Sequence, residues 1–482
     1  MTEEKIRLLE KEARLLEIPL NDRKRLTTKV QEFASEFLNE LPDIKTYFTE
    51  ESLPSPELNP SVSEESSELG DILSEFKKEV LIPGINGASG GHMGYIPGGG
   101  VYPAALGDFL AAVTNKYAGV FYAAPGAVRL ENMLIKWMCD LVGLPNKTSG
   151  GNLTSGGSIA NLIAVVAARE LSGIKARDFE KSVIYFTQQA HHCVGKAIIN
   201  AGLKEAVIRH VPMDENYRMR ADILDTMVEE DIASGLKPLI IIASAGTTDM
   251  GAVDPLDEIG DIAKKYDVWY NVDAAYGGFF SLTDYGKKKL KGIEKADSVI
   301  IDPHKGLFLP FGTGAILVRD KNKLYNSQHL PANYMQDTLG LEEELSPADL
   351  SPELTKHFRG VRMWLPLKLF GLKPFRKALE EKLELTRYFY SELEKEEAIE
   401  VGPQPDLSVF YYRIKSDGGD SNKLTKQLMQ EIHEDGRIFM SSTSIEGDFY
   451  IRVAILSFRT HLEHIELALS IIKEKAKTII VS

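Results

Sequence analysis

Ser298-Val299-Ile300-Ile301-Asp302-Pro303-His304-Lys305 is the stretch that decides the fold. Val299, Ile300 and Ile301 are consecutive and β-branched, so they read as a strand covered on both faces, the pattern of a parallel sheet. Pro303 ends the strand and delivers polar side chains at its carboxyl end. Upstream, Val268-Trp269-Tyr270-Asn271-Val272 reads as a second buried strand and ends in Asp273-Ala274-Ala275-Tyr276-Gly277-Gly278. The interval between Asp273 and Lys305 fits one crossover between parallel strands. Open α/β sheets bind ligands beyond the carboxyl ends of their strands. Taken alone, Lys305 is an ordinary surface charge and Asp273 an ordinary turn residue. Taken together they are a lysine placed for Schiff-base chemistry and an acid placed to hold a pyridinium nitrogen, which is what pyridoxal phosphate (PLP) requires of a protein.

Working outward, the same texture continues from about residue 150. Helices are expected at Ser158–Glu170, Val194–Ala201, Ala221–Ser234 and Leu256–Tyr266, and strands at Val183–Phe186, Ala206–Val211, Leu239–Ala243 and Gly314–Val318. This alternation predicts an α/β fold with a mainly parallel central sheet and helices on both faces. After Arg362-Met363-Trp364 the pattern changes to a long charged helix, Phe375–Glu396, followed by strand, helix, strand and helix to Lys475. That is a small C-terminal α+β domain. Leu8, Leu9, Leu15, Leu16 and Ile18, then Val30, Phe33 and Phe37, predict an amphipathic N-terminal helical arm, packing on a partner subunit or on its own chain. Residues 51–68 are rich in Ser, Pro and Glu and read as a linker. The expected division is arm and linker over 1–90, a large cofactor-binding α/β domain over 91–365, and the small domain over 366–482.

The 482-residue chain is too long for one ordinary core. Its net charge of −14 argues against nucleic acid or an anionic membrane surface as the main partner. An anionic cofactor therefore needs a local cradle. Two cysteines, Cys139 and Cys193, make neither a disulfide framework nor a zinc pattern. No signal core or membrane span is read, so a cytoplasmic protein without metal is expected.

Several strand ends carry further chemistry. Thr154-Ser155-Gly156-Gly157-Ser158 opens a helix and suits an anion, although a plain N-cap by Ser158 explains the same residues. Gln189-Ala190-His191-His192 and Gly246-Thr247-Thr248 follow two other strands. Adjacent histidines are expected to point apart, and no third ligand is spaced to complete a metal site. A flat imidazole beside a flat ring, or a proton-transfer role, fits better. Gly90 to Gly100 contains six glycines with no regular period, around His92, Tyr95 and Pro97, and reads as a loop approaching a ligand.

These residues resemble the group II PLP-dependent amino acid decarboxylases, most closely the aromatic-L-amino-acid branch. The resemblance spans nearly the whole chain. It rests on Tyr95-Ile96-Pro97, Ala124-Pro125-Gly126 with Leu130-Glu131, Thr154–Ser158, Ala190-His191, Gly246-Thr247-Thr248, Asp273-Ala274-Ala275, Pro303-His304-Lys305 and Arg359–Trp364. It implies fold type I, the PLP-dependent transferase-like fold, in an obligate homodimer embraced by the N-terminal arm. It implies decarboxylation of an L-amino acid, expected to be aromatic, to the amine and CO2 through an external aldimine and a quinonoid. Lys305 would carry the cofactor, Asp273 would pair with the ring nitrogen, and His191 would stack on the ring and help in proton transfer. Gly157, Ser158 and His304 would hold the phosphate, Thr247 and Ala275 would lie near the ring, and Tyr95 and Pro97 would border the substrate.

The chain departs from the family in three places. A loop tyrosine often donates the proton to Cα, but counting back from Phe358-Arg359 places Pro347 where it is expected. Tyr334 is the tyrosine between Ser327 and Leu354, and Tyr334, His191 or His192 would then be the donor. Some relatives without the tyrosine convert amino acids to aldehydes and consume O2, so oxidative deamination, aldol cleavage or amino transfer stands as the alternative. A catalytically silent scaffold is a third reading, against which intact Lys305, Asp273 and His191 weigh. Asp302 replaces an Asn of some relatives; beside a phosphate it would be repelled, so it is expected to turn toward a backbone N–H. His192 and Cys193 stand where small hydroxyl residues are common. Tyr95, Phe121 and Tyr122 are expected either to line an aromatic pocket or to pack in core and interface.

Overall fold

The computed structural model describes residues 2–49, 62–330, 344–416 and 419–481. A seven-stranded sheet forms its centre: β1 (Gly150–Thr154), β2 (Ser182–Phe186), β3 (Val207–His210), β4 (Lys237–Ser244), β5 (Trp269–Asp273), β6 (Ser298–Ile301) and β7 (Gly314–Val318). The spatial order is β1-β7-β6-β5-β4-β2-β3. Strands β6, β5, β4, β2 and β3 pair in parallel, and β7 runs antiparallel to both β6 and β1. The expected mainly parallel sheet is present; β1 was not read as a strand, and the other six agree with the sequence reading to within one or two residues at most ends.

The apolar runs are continuous because both faces of the sheet are covered. Ile241, Ala243, Val272, Val299 and Ile301 enter one core, while Ile240, Ile242, Ile184 and Ile300 enter clusters on the opposite side. The period of two sends neighbours to opposite faces, and each such side chain contributes about 1.5–3 kcal/mol when buried. The helix Gly157–Leu171 packs on one face against Cys193–Asn200, and Leu256–Tyr266 belongs to the other core.

A second sheet, β8 (Ile399–Val401), β9 (Val409–Ile414), β10 (Ser441–Ile445) and β11 (Asp448–Ala454), is antiparallel throughout in the order β8-β9-β11-β10. Helices Leu372–Glu394, Ser421–Asp435 and Leu462–Val481 share its core with Phe389, Phe410, Ile432 and Ile472. Sequence reasoning missed β8 and β10. β10 is mostly serine and threonine at a sheet edge, so it has no apolar signature. The Glu446-Gly447 turn, with φ of 53° and 94°, is the twist-matched hairpin connection that marks it.

The N-terminal segment is helical over Glu3–Ala13 and Leu20–Glu40, with no buried residue in either helix. Leu8, Leu9, Leu15 and Leu16 are exposed, so this stripe is not covered by the described residues. Tyr47–Phe48 pairs with Gly84–Ile85. Two helices that went unread, Tyr102–Thr114 and Pro125–Leu141, each begin with a proline at the first or second position. Among the described residues no helix is long and apolar enough to cross a membrane.

Candidate active site

The carboxyl ends of β1, β2, β4, β5 and β6 meet along one edge of the sheet. They open into a cavity of about 1050 Å³ lined by residues from all five, including Gly157, Ser158, His191, Thr247, Asp273, His304 and Lys305. Loops from the small sheet and from the glycine-rich segment close the far wall with Ser441, Arg452, Tyr95 and Pro97. No group of His, Cys, Asp and Glu among the described residues is arranged to hold a metal ion.

Lys305 sits on the four-residue helix Pro303–Gly306 directly after β6. Its Nζ is 3.1 Å from Asp302 Oδ2. Burial pushes the ammonium down, but the Asp302 and Asp273 carboxylates outweigh this and hold it above the ordinary lysine value. This corrects the expectation for Asp302. Neither of its oxygens accepts a hydrogen bond from a backbone N–H; the side chain is buried and turned to Lys305. The reason is local, since the turn after β6 puts residues three apart on one side.

Asp273 is held from two directions. Ala275 N donates to Oδ1 at 3.1 Å and Asn161 Nδ2 donates to Oδ2 at 3.0 Å. Asn161 is the end of a chain of donors that sequence reasoning missed. Trp269 Nε1 donates to Ser298 Oγ (2.9 Å), Ser298 Oγ to Asn271 Oδ1 (2.7 Å), and Asn271 Nδ2 to Asn161 Oδ1 (3.3 Å). Asn161, Asn271 and Ser298 are all buried. The Trp269 N–H can only donate, so it sets the direction of every bond down to Asp273. The available signal was polar residues inside otherwise apolar strands, Asn271 in β5 and Ser298 in β6.

His191 accepts a hydrogen bond from Cys193 N at Nδ1, 3.2 Å away. That leaves the imidazole proton on Nε2. Burial first, then the neighbouring His192, lowers its pKa below the ordinary histidine value, so the ring is neutral. The two histidine rings do not point apart: their centroids are 4.1 Å apart at 43°. They occupy a turn rather than a strand, so the alternation that would separate them is absent. Burial pushes the Cys193 thiol up to about 12, which makes it inert. Thr247 is buried in a tight turn in which its Oγ1 accepts from Ala252 N.

At the end of β1 the helix begins at Gly157 with Gly156 as N-cap and no side-chain cap. Ser158 lies inside the first turn, so it is not the cap, and the leading N–H groups remain for an anion. His304 stands over this turn, its Cε1 3.6 Å from where a Cβ on Gly156 would be. Its Nδ1 is 2.6 Å from the Thr313 carbonyl. Nδ1 therefore donates, and Nε2 donates outward only when the ring is protonated; burial lowers that pKa in the absence of an anion. Ala275 lies between, 3.3 Å from a Cβ built on Gly157. An uncapped helix start, a carboxylate with two N–H donors and a lysine amine in one cavity fit a phosphate-bearing pyridine aldehyde.

On the far wall Tyr95 adopts φ of 53° and is exposed, with its carbonyl held by Arg452 Nη1 at 2.9 Å. Arg452 Nε also donates to Thr248 O at 2.7 Å, and Arg452 Nη2 is buried with no hydrogen-bond partner among the described residues. Arg452 thus ties the glycine-rich loop, the Thr247 turn and β11 together, a role not read from the sequence. Phe121 is buried beside Arg129 and Tyr122 is exposed; neither lines the cavity, which Phe311 does instead. Pro347 is buried in the turn Pro347–Leu350 against β1. Tyr334 lies outside the described residues.

The model of the pyridoxal-dependent decarboxylase conserved domain matches residues 53–415. Aromatic-L-amino-acid decarboxylase of Bacillus atrophaeus is 31% identical over 430 residues, 88% of this chain and 89% of the relative. Histidine decarboxylase of Rattus norvegicus is 28% identical over 459 residues, 91% of this chain and 68% of the relative. The crystal structure of Oryza sativa TDC with PLP and tryptamine superposes with a TM-score of 0.89 at 23% identity, covering 96% of this chain and 99% of that one. The chain belongs to the pyridoxal-dependent decarboxylase family, its cofactor is PLP, and it is an amino acid decarboxylase by class.

Proposed function

We propose that the chain decarboxylates an L-amino acid with an aromatic side chain to the amine and CO2. The convergence of Lys305, Asp273 and His191 on one cavity carries the reading. PLP supplies a conjugated ring that accepts the electron pair left when the bond from Cα to the carboxylate breaks. Lys305 is the residue that holds the cofactor aldehyde. Asp273, held in place by Asn161 and Ala275 N, pairs with the ring nitrogen and keeps it charged. The N–H groups of Gly157 and Ser158 and the His304 ring hold the phosphate. Its dianion charge favours protonation of His304, which gives Nε2 a proton to donate. Thr247 and Ala275 flank the ring. His191 would stack on the ring, with its proton on Nε2. Among the described residues His191 is the donor proposed to serve Cα; Tyr334 shares that assignment from its loop.

Tyr95 and Pro97 border the substrate, and the Tyr95 and Phe311 rings on the cavity wall support an aromatic side chain. A second copy of the chain is the proposed partner in a cytoplasmic homodimer. The exposed Leu8, Leu9, Leu15 and Leu16, with Leu106, Phe109 and Val113 on the helix Tyr102–Thr114, support that assembly. Both cysteines are free, which suits a reducing compartment. The test is a panel of L-amino acids incubated with the PLP-loaded protein, with headspace CO2, amine, aldehyde, peroxide and ketoacid measured together. Amine and CO2 from aromatic substrates in equal amounts are expected. Aldehyde with peroxide would replace the proposal by oxidative deamination, and ketoacid without CO2 by amino transfer.

A further inference from the structure

The carboxylate of Asp302 is 1% exposed and neither oxygen has a hydrogen-bond partner among the described residues. Two missing side chains make room for it. A Cβ on Gly314 would come within 2.5 Å of Oδ1, and one on Gly157 within 3.1 Å of Oδ2. A buried carboxylate without N–H donors is costly unless a cation offsets it. Lys305 Nζ, at 3.1 Å, is that cation, and His304 Nε2 is further off at 3.8 Å. The other groups facing Nζ are Asp273 from the end of β5 and Cys193 from the helix after β2, with His191 and His304 nearby. Burial holds Cys193 as the thiol and lowers both histidine pKa values, so Asp273 and Asp302 are the two carboxylates that act on Nζ. Asp273 is already engaged by Asn161 and Ala275 N, whereas among the described residues Asp302 has no hydrogen-bond donor and only the more distant His304 besides Lys305.

We propose that Asp302 is the counter-ion of Lys305 whenever the lysine nitrogen is not bonded to an aldehyde, holding it as an ammonium and setting how readily it attacks. The proposal rests on Lys305 being the lysine that captures the cofactor. An ammonium has no free electron pair, so one Nζ proton passes to Asp302 before attack. The freed pair then forms the N–C bond. The carbonyl oxygen leaves as water with that proton and a second one from Nζ, while the nitrogen keeps the third, so one positive charge stands before and after. When a substrate ammonium displaces Lys305, the new C–N bond forms, the bond to Lys305 breaks, and two protons pass to the lysine. Lys305 then leaves as an ammonium onto Asp302, which delays its return. Asp302 is a positioning residue that acts through Lys305.

The full-length cofactor-free chain is pulse-labelled with acetic anhydride from neutral to alkaline pH, and acetylation of Lys305 is read by mass spectrometry. The wild-type midpoint is expected above that of a free lysine peptide. Asp302→Asn is expected to lower it by about one pH unit, which makes Lys305 roughly tenfold more reactive near neutrality. Asp302→Glu is expected to restore the wild-type midpoint. Lys356 and Lys382, both fully buried, report the fold by remaining unlabelled. A folded Asp302→Asn variant with an unshifted midpoint overturns the proposal. So does a wild-type midpoint at or below that of the free peptide, a result that needs no variant. Added PLP is expected to block labelling of Lys305; failure there overturns the assignment of Lys305 itself, whatever the midpoint.

Discussion

Asn161→Ala removes the side-chain donor of Asp273 Oδ2 and leaves Ala275 N on Oδ1. It also takes the acceptor from Asn271 Nδ2. Asn161 lines the cavity, so in the cofactor-free chain water can replace it on Asp273. The unfolding free energy then falls by about 1–2 kcal/mol, mainly from the unpartnered Asn271 amide. With the ring bound, that water is excluded. The lost bond is to a charged acceptor and contributes about 1.5–3 kcal/mol, which corresponds to roughly 10- to 100-fold weaker cofactor binding. Ser298→Ala lies two links further along the chain and leaves both donors of Asp273 in place. It should change cofactor affinity by no more than about threefold while costing about 1 kcal/mol of stability. The assay is a PLP titration followed by absorbance, run beside urea denaturation of each cofactor-free variant. The reasoning fails if folded Asn161→Ala binds PLP as wild type does, or if Ser298→Ala weakens binding as much as Asn161→Ala.

Three further outcomes test other parts of the structure. His92 is buried against Phe439, and burial lowers its pKa to about 4 from an ordinary 6.5. A depressed histidine means that the unfolded chain binds the proton first, so this contribution to stability is complete above pH 6.5 and is lost as pH falls toward 4. Replacing His92 with Phe should therefore remove about 2 kcal/mol of the stability lost on acidification from neutral pH to about 5, measured by urea denaturation at both pH values. Lys356 is fully buried and pairs with Glu131 at 3.2 Å while donating to Asn152 Oδ1 at 2.8 Å; Lys356→Met should cost about 3–5 kcal/mol of unfolding free energy. A Cβ on Gly98 would lie 2.2 Å from the His304 carbonyl oxygen, so Gly98→Ala should push the glycine-rich loop off the Lys305 helix; PLP retention through gel filtration should drop sharply.

Much of the site was legible because its chemistry is local along the chain. Buried parallel strands leave apolar runs, proline and glycine end them, and the residue that follows each run stands at the binding edge. Lys305, Asp273, His191 and Thr247 were all found that way and all line one cavity. The small-domain edge strand β10 was not legible, since a serine-rich edge takes its identity from its partner strand β11. Tyr334, one of the donors expected for Cα beside His191 and His192, lies outside the described residues.

By itself, then, the sequence determined the α/β architecture, the lysine and acid on neighbouring strand ends and the family to which they belong, because burial pattern and strand termination are written in consecutive residues. Tertiary structure alone decided where the side chains aim. Asp302 was expected to turn away from the cradle and instead faces Lys305, because Gly157 and Gly314 vacate the space beside it. The donors running from Trp269 to Asp273 join a helix and two strands, and Arg452 reaches the site from the small sheet. Hydrogen-bond direction and ion pairing depend on tenths of an ångström between surfaces far apart in the chain, and no local pattern of residues encodes that distance.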